Sequence, residues 1–195
     1  MVTNARFADR FRQFATPWQG PFELTVVDDG TTSDEDKLGA IGDLALVIGQ
    51  EAIDEDLLVA AGDSIFGEGG LGDFARLGLA KSAPVTAVVD VGDLEAVKRY
   101  SAITTDAEGR ITAFEEKPEQ PESTLAGIAL YFYPRSVLPL IRKYLDAGNN
   151  PDQPGRLVEW MYERTPFYVW QVPGRWYDIG SPETLAQADR EFSQS

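Results

Sequence analysis

Two aspartates could do chemistry together, because each ends an apolar or aromatic run and precedes a loop. Asp63 closes the stretch LLVAAGD at residues 57–63, and Asp178 closes RWYD at residues 175–178. If the fold brings the carboxylates within about 5 Å, they repel by roughly 3 kcal/mol at an effective dielectric constant of about 20. Such a pair persists by sharing a proton or by binding a hard cation such as Mg²⁺. The other interpretation, favoured by spacing alone, is that each aspartate only ends a strand in its own turn.

A second group of candidate residues lies in the segment FEEKPEQPES, residues 114–123. Lys117 could meet an anionic substrate, while Glu116 could accept hydrogen bonds from hydroxyl groups. Composition alone favours a simpler interpretation, a solvated run of charges at the end of a strand. Gly39 and Gly42 lie in DGTTSDEDKLGAIG, where free amides at a helix start could meet a phosphate or a base. Glycines also simply end loops, so both interpretations of this segment stay open.

The composition excludes several classes of chemistry and of partner. The 195 residues include neither cysteine nor histidine, which removes disulfides, thiol nucleophiles, histidine triads and imidazole zinc sites. The net charge of −15 repels nucleic-acid backbone and anionic lipid, so we expect neither nucleic acid nor a membrane as partner. Without an apolar run of about 18 residues or a secretory signal, the chain is expected to be cytoplasmic. An anionic substrate would then need a metal ion or a local lysine to overcome the acidic field.

The order of the elements predicts an α/β fold. Strand patterns alternate with helix patterns, which favours a Rossmann-like, mostly parallel sheet, and an inserted hairpin at residues 99–118 is expected as an antiparallel addition. In such sheets ligands bind beyond the carboxyl ends of the strands, where both candidate aspartates fall. Phe7, Phe11 and Phe14 recur at the spacing of a helix near the N-terminus, and we expect them to be core contacts. Further helices are predicted at 38–49, 71–81, 134–148, 155–165 and 182–192, and further strands at 22–27, 56–63, 83–91, 124–133 and 166–174.

Four blocks of sequence, in this order, resemble the signatures of the sugar-phosphate nucleotidyltransferase family. They are LLVAAGDSIF, AEGRITAFEEKPEQPES, GIALYFYPRSVLPLI and GRWYDIGSPETLAQADREF. The likeness extends from VTNARF to ADREF, essentially the whole chain, and is greatest to glucose-1-phosphate thymidylyltransferases. EEKP alone would carry little weight, whereas four ordered blocks at suitable spacing are specific. The resemblance implies one Rossmann-like domain over residues 1–195 that joins a nucleoside triphosphate to a sugar 1-phosphate, giving a nucleotide sugar and pyrophosphate.

The resemblance also implies roles for individual residues. The aspartates of the GD and YDIG blocks, Asp63 and Asp178, would hold a divalent metal, usually Mg²⁺, as the cofactor. Lys117 of EEKP would contact the sugar phosphate and, with Asp63, carry the catalysis, while Glu116 would bind the sugar. Displacement at the α-phosphate depends on charge neutralisation and positioning more than on proton transfer. A chain without histidine or cysteine can supply both.

Further substrate contacts follow from the same resemblance. Leu38 and Gly39 of KLGAIG would lie near the nucleobase. Ala129 stands in a substrate-binding position where many relatives have glycine, and Ser64 stands where many have asparagine. Both departures leave the sugar and the base open, with dTTP or UTP as the favoured nucleoside triphosphate.

One signature of the family has no counterpart in this sequence. It is the Gly-rich segment G-x-G-T-R, which wraps the triphosphate and supplies an arginine. The likeness starts at the family's second or third strand, so about 60 residues, or two βα units, would be absent. We favour a fragment or a misplaced gene start; the alternatives are a missing piece supplied by another chain and a shortened, non-catalytic descendant. We therefore expect a domain that is incomplete at its N-terminus and has little or no turnover as an isolated chain.

Two other functions stay open. One is a non-catalytic or regulatory module that binds sugar phosphate or nucleotide sugar and associates with a complete homologue. The other is a glycosyltransferase with a similar GD-type metal site, but this does not explain why EEKP and YDIGSPE occur together. The sequence does not fix the oligomeric state: a homo-oligomer and an association with a full-length homologue both remain open.

Overall fold

The structure, a computed structural model, describes residues 1–67 and 70–192. The chain forms two compact units, the first of Met1–Asp54 with Pro139–Leu157 and the second of Glu55–Leu138 with Val158–Ser195. In chain order the elements are β1 (Val2–Thr3), α1 (Ala5–Ala15), β2 (Val27–Asp28), α2 (Ala40–Gln50), β3 (Leu57–Ala60), β4 (Ser64–Phe66), α3 (Leu71–Lys81), β5 (Val85–Asp90), α4 (Leu94–Val97), β6 (Ser101–Thr105), β7 (Ile111–Glu116), β8 (Leu125–Tyr133), a 3₁₀ turn (Arg135–Val137), α5 (Leu138–Asp146), α6 (Pro154–Tyr162), β9 (Tyr168–Gln171), β10 (Trp176–Asp178) and α7 (Pro182–Phe192).

The second unit is built on a six-stranded sheet in the order β7-β6-β8-β5-β9, with β3 also paired to β8. Strands β3, β5 and β6 run antiparallel to β8, and β9 runs parallel to β5. Four strands therefore point one way, while β8 and the hairpin strand β7 point the other. The Rossmann-like α/β fold predicted from the sequence is confirmed, since four of the six strands share one direction and the inserted hairpin adds an antiparallel strand.

The core of this unit lies where α3 packs on β5 and β8. Both strands are rich in small and branched apolar residues, as expected for strands that are covered on both faces. Gly78 of α3 is the point of closest approach, since a Cβ built there would lie 2.2 Å from a carbon of the Phe132 ring. The buried side chains of the cluster are Phe74, Val85, Ala87, Ile128, Leu130, Phe132 and Val172.

The first unit contains a separate parallel pair, β1 with β2. Helix α1 connects the two strands, and Ala8 is its single buried residue. Two backbone hydrogen bonds join the segments just beyond the strands. The amide of Asp29 donates to the Thr3 carbonyl at 3.0 Å, and the amide of Ala5 donates to the Thr31 carbonyl at 2.9 Å. These bonds hold the residues that follow β1 and β2 close together.

Most predicted helices are confirmed, because apolar periodicity and Gly or Pro at the ends mark them locally. Helix α3 has the predicted bounds, and the Ser181 hydroxyl accepts from the amide of Thr184 at 3.2 Å, as expected of a residue that caps α7. The strand predicted at 22–27 is wrong in extent, since β2 holds two residues only. The short elements β4 and α4 have no counterpart among the predictions.

The prediction that Phe7, Phe11 and Phe14 are core contacts is wrong. Their exposed fractions are 41%, 41% and 60%. Periodicity identified the apolar face of α1 correctly, but the residue that the helix buries is Ala8, on a different side. A helical repeat marks a face and does not say what covers it.

In residues 1–67 and 70–192, each helix is too short or too polar to cross a membrane.

Close packing between α3 and β8 can be tested at Gly78. Gly78→Ala is expected to lower the free energy of unfolding by about 1–3 kcal/mol, because the added methyl group must displace the Phe132 ring or the helix. Gly72→Ala is the matched control in α3, since its Cβ would approach only the tip of the Arg76 side chain, at 3.3 Å. The control should be neutral or stabilising by up to about 1 kcal/mol. Urea denaturation compares the two, and equal midpoints would contradict the packing described.

Candidate active site

Asp63 and Asp178 lie next to each other on a two-stranded antiparallel ribbon formed by β4 and β10. The register pairs Asp178 with Ser64, the residue after Asp63. The amide of Ile179 donates to the backbone carbonyl of Asp63 at 2.8 Å, which continues the ribbon past its paired residues. The structure thus brings the two aspartates together. The prediction that Asp178 lies at the carboxyl edge of the main sheet is wrong, because its strand β10 pairs only with β4, in a separate ribbon.

The two carboxylates interact electrostatically. Burial, and after it the charge of Asp63, raises the pKa of Asp178 above its usual range. The ionised form of Asp178 is therefore less favourable than that of a free aspartate, and a cation between the two carboxylates would compensate its charge. Across 1–67 and 70–192, no group of three or more His, Cys, Asp or Glu side chains could hold a metal. A carboxylate pair nevertheless fits Mg²⁺, which is commonly held by one or two carboxylates and completes its coordination with substrate phosphates and water.

Glu116 ends β7 with its carboxylate held by neighbouring strands. The hairpin register pairs it with Ser101, whose buried hydroxyl donates to Oε2 of Glu116. Burial, followed by the charge of Glu116, raises the pKa of Tyr131 on β8. The carboxylate thus lies near a hydroxyl that donates to it and near a phenol that stays neutral. Sequence reasoning missed both neighbours, although counting back from Glu116 through the hairpin turn would have reached Ser101.

Lys117 follows β7 in a left-handed backbone conformation, with φ at +52°. For a residue with a side chain this conformation costs on the order of 1 kcal/mol or more and is kept where the surroundings enforce it. Here the amide of Lys117 donates to the Tyr100 carbonyl at 3.0 Å. The Tyr100 ring packs edge-on against Trp176, with ring centroids 5.5 Å apart. Lys117 is therefore tied through Tyr100 to β10, the strand that carries Asp178.

Ala129 lies where β8 shifts register against β5. Its carbonyl accepts a hydrogen bond from the amide of Ala61 at 2.9 Å. Ala61 begins the turn that leads to Asp63, so the backbone of Ala129 fixes the start of that turn. Irregularities of this kind are frequent beside functional sites, because they redirect a side chain or a loop.

Leu38 and Gly39 belong to the first unit, at the start of α2. Gly39 has φ at +77°, and a Cβ there would lie 2.6 Å from the Pro151 carbonyl oxygen. The amide of Ile41 donates to that carbonyl at 2.8 Å, so it is not free to meet a ligand. The glycine is thus explained by a close backbone approach, while Leu38 is 36% exposed.

An acidic pair that sequence reasoning missed also lies in the first unit. Burial, then the charge of Asp29 and a hydrogen bond with its carboxyl group, raises the pKa of Asp43 to about 6. Among the described residues, Oδ1 of Asp43 and Oδ1 of Asn4 are the buried side-chain oxygens without a hydrogen-bond partner. The available signal was one acidic residue in the otherwise apolar helix AIGDLALVIGQ.

Comparison with known proteins places this arrangement in a family. The family model described as Nucleotidyl transferase matches residues 11–195, so the chain belongs to the nucleotidyl transferase family. A structure of UDP-glucose pyrophosphorylase complexed with UDP-glucose is similar, with a TM-score of 0.79 and 19% identity over 99% of this chain and 79% of that chain. A structure described as a proposed glucose-1-phosphate thymidylyltransferase from Bacillus anthracis, in complex with a sucrose, gives a TM-score of 0.73 and 19% identity over 97% and 74%. These two likenesses show the fold.

The acidic pair makes a prediction about pH. Between about pH 4 and pH 6, Asp43 keeps a proton in the folded protein that the unfolded chain has lost, because its pKa moves from 3.8 to about 6 on folding. Asp43 therefore costs stability as the pH rises through this range. Asp43→Asn should raise the free energy of unfolding by about 1 kcal/mol at pH 7, after allowance for partial exposure, and change it little at pH 4.

Urea unfolding at several pH values measures this difference. Asp189→Asn, at an exposed position of α7, is the control and should leave the pH profile unchanged. A difference between Asp43→Asn and the original chain that is constant from pH 4 to pH 7 would contradict the assignment.

Proposed function

We propose that this chain supplies the metal, sugar-phosphate and part of the nucleobase site of an enzyme that joins a nucleoside triphosphate to a sugar 1-phosphate. The observation that carries the proposal is the convergence of Asp63 and Asp178, in which the charge of one raises the pKa of the other. Membership of the nucleotidyl transferase family supports the reaction class. The products are a nucleotide sugar and pyrophosphate.

The site residues fit a magnesium ion. Asp63 and Asp178 would hold it, and when bound it would supply positive charge to neutralise phosphate oxygens. Lys117 adds a second cation for the sugar phosphate, which offsets the chain's net charge of −15 locally. Glu116, fixed by the Ser101 hydroxyl, would accept hydrogen bonds from sugar hydroxyls. Leu38 and Gly39 would contact the base, and Ala129 would be a substrate contact of the second unit.

The reaction balances without a protein nucleophile. A phosphate oxygen of the sugar 1-phosphate forms a bond to the α-phosphorus of the triphosphate. The bond from that phosphorus to the bridging oxygen breaks, and pyrophosphate leaves with the electron pair. The attacking oxygen is already ionised at neutral pH, so no histidine or cysteine is needed to remove a proton. Lys117 would neutralise charge on the phosphate, and the carboxylate pair would act by holding the cation in position.

Nucleotide preference is part of the proposal. We expect dTTP or UTP to be the triphosphate, in keeping with the UDP-glucose bound by one structural neighbour. The sequence holds no G-x-G-T-R segment to wrap a triphosphate. We therefore propose that the isolated chain binds sugar phosphate and cation with little turnover. A purely regulatory module would share that binding, and association with a complete homologue would distinguish it.

The carboxylate pair can be tested by cation binding. Mn²⁺ can replace Mg²⁺ as the probe, because free Mn²⁺ is counted directly by its paramagnetic resonance signal. Asp63→Asn and Asp178→Asn should each weaken Mn²⁺ binding in the presence of UDP-glucose by at least about tenfold, since one carboxylate and one negative charge are lost. Asp189→Asn, in α7, is the control and should bind like the original chain. Equal affinity in all four proteins would remove the proposed metal site.

Lys117 and the turnover can be tested together. Calorimetry should show that Lys117→Gln weakens binding of glucose 1-phosphate by about tenfold or more, because a phosphate loses its charged donor. Lys143→Gln, at an exposed position of α5, is the control and should have no effect. A coupled pyrophosphate-release assay with Mg²⁺, glucose 1-phosphate and each nucleoside triphosphate should give little or no signal. Robust turnover would refute the expected inactivity, whereas unchanged binding by Lys117→Gln would refute the role of the lysine.

A further inference from the structure

One carboxylate of helix α7 is bound to the ribbon of β4 and β10. Oε2 of Glu191 accepts hydrogen bonds from the Tyr177 hydroxyl and from the Arg175 guanidinium. Its other oxygen accepts from Nε2 of Gln187 at 3.2 Å, which fixes the carboxylate on the helix. The hydrogen bond from Tyr177 is the largest influence on this carboxyl group and lowers its pKa below the usual range. Glu191 is therefore an ionised acceptor that links α7 to two residues of the ribbon.

These two residues lie on the opposite face of the ribbon from Asp178. Successive side chains of a strand alternate between its two faces, so Trp176 and Asp178 share one face and Tyr177 lies on the other. Arg175 continues the strand pairing by one residue, because its carbonyl accepts from the amide of Gly67 at 2.8 Å. The carboxylate of α7 thus binds the face of β10 that does not carry the candidate metal ligand.

The face that carries Asp178 has contacts of its own. The Trp176 ring packs edge-on against Tyr100, with centroids 5.5 Å apart, and its Nε1 donates to Oγ of Ser64 at 3.4 Å. The strand is therefore held on both faces, by the Trp176 ring on one and by the carboxylate of α7 on the other. A rotation of β10 about its axis would break both sets of contacts.

The ribbon depends on such contacts because its own pairing is short. Strands β4 and β10 pair over three residues and lie outside the six-stranded sheet. A two-stranded ribbon alone is only marginally stable in water. The charges of Asp63 and Asp178 also repel each other, which favours separation of the strand ends. Contacts from outside the ribbon must therefore fix the position of Asp178.

We propose that Glu191 is a positioning residue for the cation site. By binding Tyr177 and Arg175 it fixes the backbone of β10. The fixed backbone keeps the carboxylate of Asp178 next to that of Asp63. This inference rests on the proposed function, since the cation between the two aspartates is part of that proposal.

Mn²⁺ binding in the presence of UDP-glucose tests the role of the carboxylate. Glu191→Ala should weaken binding by about tenfold, the order expected when a residue that orients a metal ligand is lost. Glu191→Gln should bind like the original chain, because an amide oxygen accepts from the same two donors. Asp189→Ala removes an equal charge from an exposed position of α7 and should have no effect. Equal affinity of Glu191→Ala and Asp189→Ala would overturn the proposal, and so would an equal loss in the alanine and glutamine variants of Glu191.

A double-mutant cycle separates this inference from the proposed function. If Glu191 acts through Asp178, Glu191→Ala should change Mn²⁺ affinity little in a chain that already carries Asp178→Asn. The same loss in both backgrounds would mean an independent effect and would overturn the positioning role. If Asp178→Asn alone leaves Mn²⁺ binding unchanged, the metal site fails and this role fails with it. If Asp178→Asn weakens binding and Glu191→Ala does not, only the positioning role fails.

The fixing of the strand can be measured without a metal. The amide of Ile179 donates to the Asp63 carbonyl at 2.8 Å, so its hydrogen exchange reports on opening of the ribbon. The control is Val172, whose amide donates to the Val88 carbonyl of the six-stranded sheet at 2.9 Å. In NMR measurements, Glu191→Ala should speed exchange at Ile179 and leave that at Val172 unchanged. Unchanged exchange at Ile179 would overturn the proposal, and so would equal acceleration at both amides, which reports a loss of global stability.

A smaller change keeps the test independent of folding. Tyr177→Phe removes one hydroxyl and leaves the ring, the helix and the carboxylate in place. It should weaken Mn²⁺ binding and speed exchange at Ile179 in the same direction as Glu191→Ala, by smaller amounts. A Tyr177→Phe chain that matches the original in both measurements would contradict the proposed role of this contact.

Discussion

The repulsion between Asp63 and Asp178 is the constraint around which the second unit is arranged. Their strands are 112 residues apart along the chain where Trp176 Nε1 meets Ser64 Oγ at 3.4 Å. Closing so long a loop costs conformational entropy, and placing two carboxylates together adds an electrostatic cost. Both costs are met by the rest of the unit, above all by the apolar contacts of β5 and β8 with α3. The two carboxylates repel each other, so the packing of the rest of the unit holds them together.

The β6–β7 hairpin performs a related task for Glu116 and Lys117. Its register fixes Glu116 opposite Ser101, and the chain then turns sharply at Lys117. Glu116 and Lys117 are adjacent in sequence but have different partners. The Glu116 carboxylate accepts from the Ser101 hydroxyl, and the Lys117 amide donates to the Tyr100 carbonyl. A rigid backbone beside each group is what a site needs when it works by positioning charge.

The first unit shows how electrostatics and apolar contact can act separately in one small region. Asp43 and Asp29 form an acidic pair that burial drives toward sharing a proton. Helix α1 instead exposes aromatic residues, in a chain with a net charge of −15. Neither feature follows from the family's reaction, and each has its own physical cause.

Much of this could be predicted from the sequence, because it depends on neighbours along the chain. The bounds of α3, the hairpin, and the glycine and proline residues at element ends all have local signatures. The GD, EEKP and YDIG blocks likewise identified the family and its candidate residues. Only the tertiary structure decided that Asp63 and Asp178 meet on a separate ribbon, that Asp43 lies beside Asp29, and that the aromatic face of α1 is exposed. The reason is physical. A contact between distant residues produces no periodic pattern in either segment. An apolar helix face has the same sequence pattern whether its own chain covers it or leaves it exposed.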